Sequence, residues 1–323
     1  MCTSISFTAK DHYFGRNLDM ECSYGEKVII TPRNYPLKFR HLRENNRHFA
    51  MIGMGIVVDD YPLYYEATNE KGLSMSGLSF TTSAVYNDFD IDKENICVFE
   101  LIPYVLGNCS TVDEASELLE RINIVLTPFN NDLKTAELHW MISDKDYSIT
   151  VECVKDGLKI YYNPVHILTN NPEFPMQMFN LNNYMNLTRE EPETRFAEGF
   201  DFNKYSRGMG ALGLPGDLSS MSRLVRGAFT RLNSVCGNTE NDSVSQFFHI
   251  LQSVSQINGC VRVGVSFEKT LYSSCCNTDK GIYYYTTYNN NQISAVCLHR
   301  ENLDNNQLII YNLSYEQNIN YQN

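Results

Sequence analysis

The chain has 323 residues, a hydrophobic share of 43%, a charged share of 20% and a net charge of −12. So acidic a surface is repelled by nucleic-acid phosphates and anionic membrane faces, and no basic cluster offsets it locally. No apolar run approaches the ~20 residues that span a bilayer, so neither a nucleic-acid partner nor membrane insertion is expected.

The opening Met1-Cys2-Thr3-Ser4-Ile5-Ser6-Phe7 does not read as a signal peptide, because Thr3, Ser4, Ser6, Lys10, Asp11 and His12 interrupt any apolar core. A cytoplasmic location is the expectation. A small second residue is what methionine aminopeptidases accept. Loss of Met1 would leave a thiol and a free α-amine on Cys2, a nucleophile and base on one residue. The two groups ordinarily titrate near ~8.5 and ~7.7–8.0, close to working pH. On the dipeptide alone, an accidental Met-Cys start is the commoner reading.

Residues 2–7 and His12–Asp19 read as strands joined by a turn at Lys10-Asp11, a hairpin that brings the second strand alongside Cys2. Val28–Thr31 is a further β-branched run. Tyr64–Thr68 and Leu73–Phe80 flank the turn signal Asn69-Glu70-Lys71-Gly72. A helix is expected over Val98–Leu106, stopped by Gly107. Thr111 and Glu114 form a capping box for a second helix with Ala115, Leu118 and Leu119 as its stripe. Leu138–Ser143, Ser148–Val154 and Leu158–Tyr162 form an antiparallel meander. Pro175–Tyr184 is helical, and acidic Thr188–Tyr205 is an exposed excursion. Ser219 or Ser220 caps a helix to about Leu232, and Asp242 caps another over Val244–Ile257. Strands return at Thr270–Cys276, Gly281–Tyr288 and Ile293–His299, followed by a polar tail over 315–323. This order suggests packed sheets with helices outside, in a single domain over 1–323.

The ten cysteines lack a C-x-x-C pair and the seven histidines lack metal-ligand spacing. No metal site is expected. Arg16 and Asp19 lie one hairpin away from Cys2. A guanidinium beside a thiol favours the thiolate, and a carboxylate near an α-amine orients it. Taken alone, the two are equally a surface ion pair of little worth.

The ordered set Met1-Cys2-Thr3, Phe14-Gly15-Arg16-Asn17-Leu18-Asp19, Leu168-Thr169-Asn170-Asn171-Pro172 and Gly213-Leu214-Pro215-Gly216-Asp217 with Ser222-Arg223 resembles the choloylglycine hydrolase family over the whole chain. These are bile salt hydrolases and penicillin V acylases of the N-terminal nucleophile superfamily, and the likeness is nearest to the Gram-positive bile salt hydrolases. It implies an α+β fold, a four-layer αββα sandwich with two antiparallel sheets, and amidase activity without a cofactor.

Carried over residue by residue, the resemblance makes Cys2 the nucleophile and Arg16 and Asp19 the groups that tune its thiol and hold its amine. It makes Asn170 the oxyanion-hole side chain and Arg223 the arginine that completes the electrostatic shell. One departure stands at Ser79, in Gly77-Leu78-Ser79-Phe80, where bile salt hydrolases usually carry Asn and penicillin V acylases often Tyr. Ser79 keeps a backbone contribution to the oxyanion hole and shortens any side-chain one. Pocket loops in the family imply Leu18, Met20, Tyr24, Tyr64, Phe129 and Met209 as lining, and Arg207 as a partner for a glycine-conjugate carboxylate. The implied substrates are glycine- or taurine-conjugated bile salts and the implied assembly is a homotetramer, with Thr188–Tyr205 resembling the assembly segment. Penicillin V or other N-acyl amides, and a non-catalytic steroid or lipid binder, remain open alternatives.

Overall fold

The N-terminal hairpin forms where the alternation of the sequence places it. Strand β1 (Cys2–Thr8) pairs antiparallel with β2 (His12–Met20), setting Cys2 opposite Leu18 and Ser4 opposite Arg16. In this computed structural model, which describes residues 1–323, a run of strands follows: β3 (Lys27–Thr31), β4 (Met51–Val58), β5 (Tyr61–Asn69) and β6 (Ser74–Ser79). β7 (Glu94–Cys97) leads through one 3-10 turn into helices α1 (Leu101–Asn108) and α2 (Val112–Leu119). The meander is preceded by β8 (Ile122–Val125) and comprises β9 (Leu138–Ser143), β10 (Ser148–Val154) and β11 (Gly157–Tyr162). β12 (Ile167–Leu168), α3 (Phe174–Leu181), α4 (Ser220–Asn233) and α5 (Glu240–Gln252) lead to the last strands. These are β13 (Val261–Val263), β14 (Ser266–Asn277), β15 (Ile282–Thr287), β16 (Asn290–Cys297) and β17 (Ile309–Asn312).

Two antiparallel sheets result. A seven-stranded sheet runs β12-β1-β2-β14-β15-β16 with β13 paired to β14, and an eight-stranded sheet runs β11-β10-β9-β6-β5-β4-β3-β17. Period-two alternation gives each sheet two buried faces. Phe14, Leu18, Tyr272 and Tyr283 meet Val28, Ile52, Met54 and Met141 between the sheets. Ile5, Phe7 and Tyr13 pack outward on Ala228, Phe247 and Leu251 of α4 and α5. On the other side Met75, Trp140 and Ile142 pack against Leu101, Val105 and Leu119 of α1 and α2. The architecture is the four-layer αββα sandwich.

Three differences from the sequence reading have physical causes. Thr239 and Asp242 form a reciprocal capping box, so α5 starts at Glu240 rather than after Asp242. It ends at Gln252 rather than Ile257, where Arg226 Nε takes the Ser253 carbonyl at 2.6 Å and the Ser253 and Ser255 hydroxyls bond back to Ile250 and Gln252. Strand β4 was not legible because Gly53 and Gly55 resemble breakers. A Cβ at Gly53 would lie 2.0 Å from the Glu66 carbonyl oxygen, and one at Gly55 2.3 Å from that of Leu63. Only glycine admits that approach.

Candidate active site

Cys2 opens β1 and is only 5% exposed. Its N–H donates to Asn170 Oδ1 at 2.8 Å, and Arg223 Nη2 donates to the same oxygen at 2.7 Å. Two donors on one oxygen fix the amide's orientation. Asn170 Nδ2 accordingly donates to the Ser79 carbonyl at 2.8 Å, which leaves its second N–H uncommitted. The Ser79 hydroxyl pairs with Thr81 Oγ1 at 2.9 Å, so Ser79 meets Asn170 through its main chain.

The loop carrying Asn170 is held from several sides. Ser220 Oγ accepts its N–H at 2.8 Å, and Gln177 Nε2 donates to its carbonyl and, at 2.7 Å, to that of Pro172. Buried His139 places Nε2 2.9 Å from the Thr169 carbonyl and Nδ1 3.0 Å from Glu152 Oε1. Its ring stacks on Phe80, with centroids 4.3 Å apart.

Arg16 and Asp19 are both wholly buried, which excludes the surface ion pair. Successive strand residues point to opposite faces, so Arg16 and Leu18 lie on the inter-sheet side and Asp19 turns toward the helices. Arg16 Nη1 donates to the carbonyls of Gly77 at 2.6 Å and Tyr65 at 3.0 Å, and stands 3.8 Å from Glu66 Oε2. The Tyr65 carbonyl is available because a bulge interrupts the β4–β5 register beside it. Arg16 Nη2 has no partner. Burial works against the Arg16 cation, but Cys2, Tyr272 and Glu66 outweigh it and raise its pKa above the ordinary value.

Asp19 Oδ1 accepts from Thr270 Oγ1 at 2.6 Å, and Oδ2 lies 3.9 Å from Arg223 Nη1 without a hydrogen bond. Burial raises the Asp19 pKa, against the pull of Arg223, Thr270 and the N-terminal amine. Arg223, from α4, donates through Nη1 to the Cys2 carbonyl and Thr3 Oγ1, each at 2.6 Å. Burial lowers its pKa while Asp19 and Cys2 favour the cation. The Met1 ammonium donates to the Glu268 carboxylate and, at 2.8 Å, to the Asp19 carbonyl.

A cavity of about 740 Å³ opens at Cys2, within the usual range for small-molecule sites. Leu18, Met20, Tyr24, Tyr64 and Phe129 line it as the sequence reading places them, together with Arg16, Asp19 and Ser79. Tyr65, Phe99, Leu133 and Leu138 add apolar surface. Arg207 and Met209 are not among the residues that line this cavity. At Gly208, φ 78°, the chain turns into Met209–Ala211, and Thr188 N–H donates to the Gly210 carbonyl at 3.0 Å. That bond ties the turn to the exposed excursion.

The family described as linear amide C–N hydrolases, choloylglycine hydrolase family, matches residues 2–311. The chain belongs to that family. It is 54% identical to a bile salt hydrolase/transferase of Lactiplantibacillus plantarum over 98% of each chain. A Clostridium perfringens protein of the same description is 38% identical over the full length of both. The crystal structure of a mutant conjugated bile acid hydrolase from C. perfringens superposes with a TM-score of 0.92 at 38% identity, covering 100% of both chains. A penicillin V acylase from Agrobacterium tumefaciens, 19% identical with a TM-score of 0.76 over 97% of this chain and 92% of its own, shares the fold. The chain is an amidohydrolase with the N-terminal nucleophile fold.

Sequence reasoning missed Glu66, Thr270, Tyr272, Tyr283, Glu268, Ser220 and the His139–Glu152 pair. One signal was present: Glu66 is the lone charge in the strand Tyr61–Asn69, directly after a run of apolar and aromatic residues, where a charge demands partners.

Proposed function

We propose that the chain hydrolyses the amide bond of glycine- or taurine-conjugated bile salts, using Cys2 as nucleophile after Met1 is removed. The observation that carries this reading is the convergence of Asn170 and Arg223 on Cys2, which lines a mostly apolar cavity together with Arg16 and Asp19. The bile salt names of the two relatives point the same way.

With Met1 gone, the Cys2 nitrogen becomes an α-amine beside Asn170 Oδ1, and the unpartnered Asp19 Oδ2 is an acceptor for its charged form. The thiolate attacks the amide carbonyl carbon. The resulting oxyanion takes the uncommitted Asn170 N–H, a contact typically worth ~10²–10³ in rate. The C–N bond then breaks, and the leaving glycine or taurine nitrogen receives its proton from the Cys2 ammonium. Water, deprotonated by the same amine, attacks the thioester, and the thiolate departs with the bile acid released. Arg16, with one free nitrogen, stabilises the thiolate.

No helix is long and apolar enough to cross a membrane, and we place the enzyme in the cytoplasm. We assign it a homotetramer built on the excursion, where Phe196, Phe200 and Phe202 are exposed by 78%, 61% and 56% and pack on one another. An exposed aromatic cluster of this kind suits a subunit contact.

Ser79 leaves a second reading open, cleavage of penicillin V, because it carries neither the Asn nor the Tyr expected of the two activities. The test follows release of glycine, taurine and 6-aminopenicillanic acid from glycocholate, taurocholate and penicillin V, with Cys2→Ala as blank. Dominant release from the bile salts is expected. Dominant penicillin V cleavage would transfer the assignment.

A further inference from the structure

Between the two sheets, beside Arg16, lies a carboxylate for which the reaction above has no use. Glu66, on β5, is 1% exposed. Tyr283 and Ser274 hydroxyls donate to its Oε1 at 2.5 and 2.9 Å, and the Tyr272 hydroxyl to Oε2 at 2.7 Å. Oε2 also faces Arg16 Nη1 at 3.8 Å. These hydroxyls come from β14 and β15, so one sheet reaches across to satisfy a charge rooted in the other.

The arrangement depends on an interruption in β14. Its register against β2 shifts between Thr270 and Tyr272. In an unbroken strand, residues two apart share a face. Here Thr270 serves Asp19 on the helix side, while Tyr272 serves Glu66 on the inter-sheet side. A carboxylate surrounded by hydroxyl donors and a guanidinium is accommodated as the anion, since a proton on it would compete with those donors for its lone pairs. Burial nevertheless raises the pKa of Glu66, with Arg16 and the three hydroxyls opposing.

Arg16 therefore has two acids on it. Besides Glu66, Cys2 stands on the same inter-sheet face at the diagonal position of the β1–β2 pair, lines the same cavity and favours the Arg16 cation through its charge. Two acids that share one buried cation titrate against each other, because each is stabilised less when the other is ionised. Cys2 is also within the field of Arg223, from α4. Asp19, on β2, stands against that arginine, and the N-terminal amine acts on Asp19. Around Glu66 the remaining titratable neighbours are Tyr65, Tyr272, Tyr283 and Cys276. Arg223 already has Asp19 opposite it, which leaves Arg16 to decide the charge available to the thiol.

We propose that Glu66 is a positioning residue that shares the Arg16 cation with the Cys2 thiolate and so sets the pH at which Cys2 ionises. The proposal rests on Cys2 being the reactive thiol. It does not depend on which amide is cleaved.

The test reads alkylation, not turnover. Iodoacetamide labelling of Cys2 is followed against pH by peptide mass, on protein whose N-terminus is shown to be Cys2. In Glu66→Gln the competing anion is gone, so the midpoint moves down by about one pH unit, the lower end of what one close charge does. Well below the midpoint, labelling is then about tenfold faster than in the parent. In an Arg16→Leu background the same substitution moves nothing, because a buried carboxyl without its cation is already neutral. A residue that merely packed would not show that dependence.

Should Glu66→Gln not fold, Tyr283→Phe removes one donor from the carboxylate while leaving the Arg16 bonds in place. It shifts the midpoint in the same direction by a smaller step. A midpoint unmoved in the folded variant, or an equal shift in the Arg16→Leu background, overturns the proposal. Failure of the bile salt assay with a shifted midpoint would reject the substrate reading alone.

Discussion

On its inter-sheet face strand β2 buries Arg16, on its helix face it buries Asp19, and different parts of the fold neutralise the two charges. Arg16 is answered by strands alone: a carboxylate on β5, carbonyls on β5 and β6, and hydroxyls on β14 and β15 that hold the carboxylate. Asp19 is answered by a helix, through Arg223 of α4, and by Thr270. The first cluster touches Cys2 through charge. The second ties together the Cys2 carbonyl, Thr3 and Asn170 and so fixes geometry. One strand thus separates ionisation of the thiol from positioning of the groups around it.

Breaking the helix-side cluster has the largest expected effect. Arg223→Met removes the bonds to Cys2, Thr3 and Asn170 and strands Asp19 as a buried charge. A loss of ~3–5 kcal/mol in denaturant unfolding is expected, with kcat falling at least as far as for loss of one oxyanion donor. Asn170→Ala tests geometry without charge. It should cost ~10²–10³ in kcat with a smaller change in KM, measured by steady-state release of the amino acid.

The far end of β2 offers a contrast in pH. Burial lowers His12 to about 4, and His166, packed near it, also to about 4. In the unfolded chain a histidine titrates near ~6.5. Between those values the unfolded state binds protons that the native state refuses, so stability rises with pH across the window. Thermal melts should show Tm falling from pH 7 to pH 5. His166→Gln should weaken that dependence, and a flat profile in the parent would contradict the burial of both rings. The smallest effect is expected of Ser79→Ala. Its contact with Asn170 is main-chain, so kcat/KM should change by about twofold, the ~0.5 kcal/mol of an uninvolved side chain.

Much of this was legible in the sequence. The first hairpin and the meander follow from alternation and turn residues, and the reading places β9 and β10 at Leu138–Ser143 and Ser148–Val154, where they stand. Cys2, Arg16, Asp19, Asn170 and Arg223 were singled out by motif, and the fold brings β2, the Asn170 loop and α4 together around the first of them. What escaped reading depends on bulges and on partners far apart in the chain. The register shifts beside Tyr65 and Leu271 alter the alternation locally, so no periodic pattern links Glu66 with Tyr272. The path of the loop that carries Arg207 and Met209 is set by turns such as Gly208, and side-chain chemistry does not report it.

The most direct measurement is the mass of the enzyme quenched in acid during turnover of glycocholate. The account predicts a choloyl thioester on a peptide that begins at Cys2, absent from Cys2→Ala. An adduct on any other residue, or full turnover by protein that retains Met1, would contradict it.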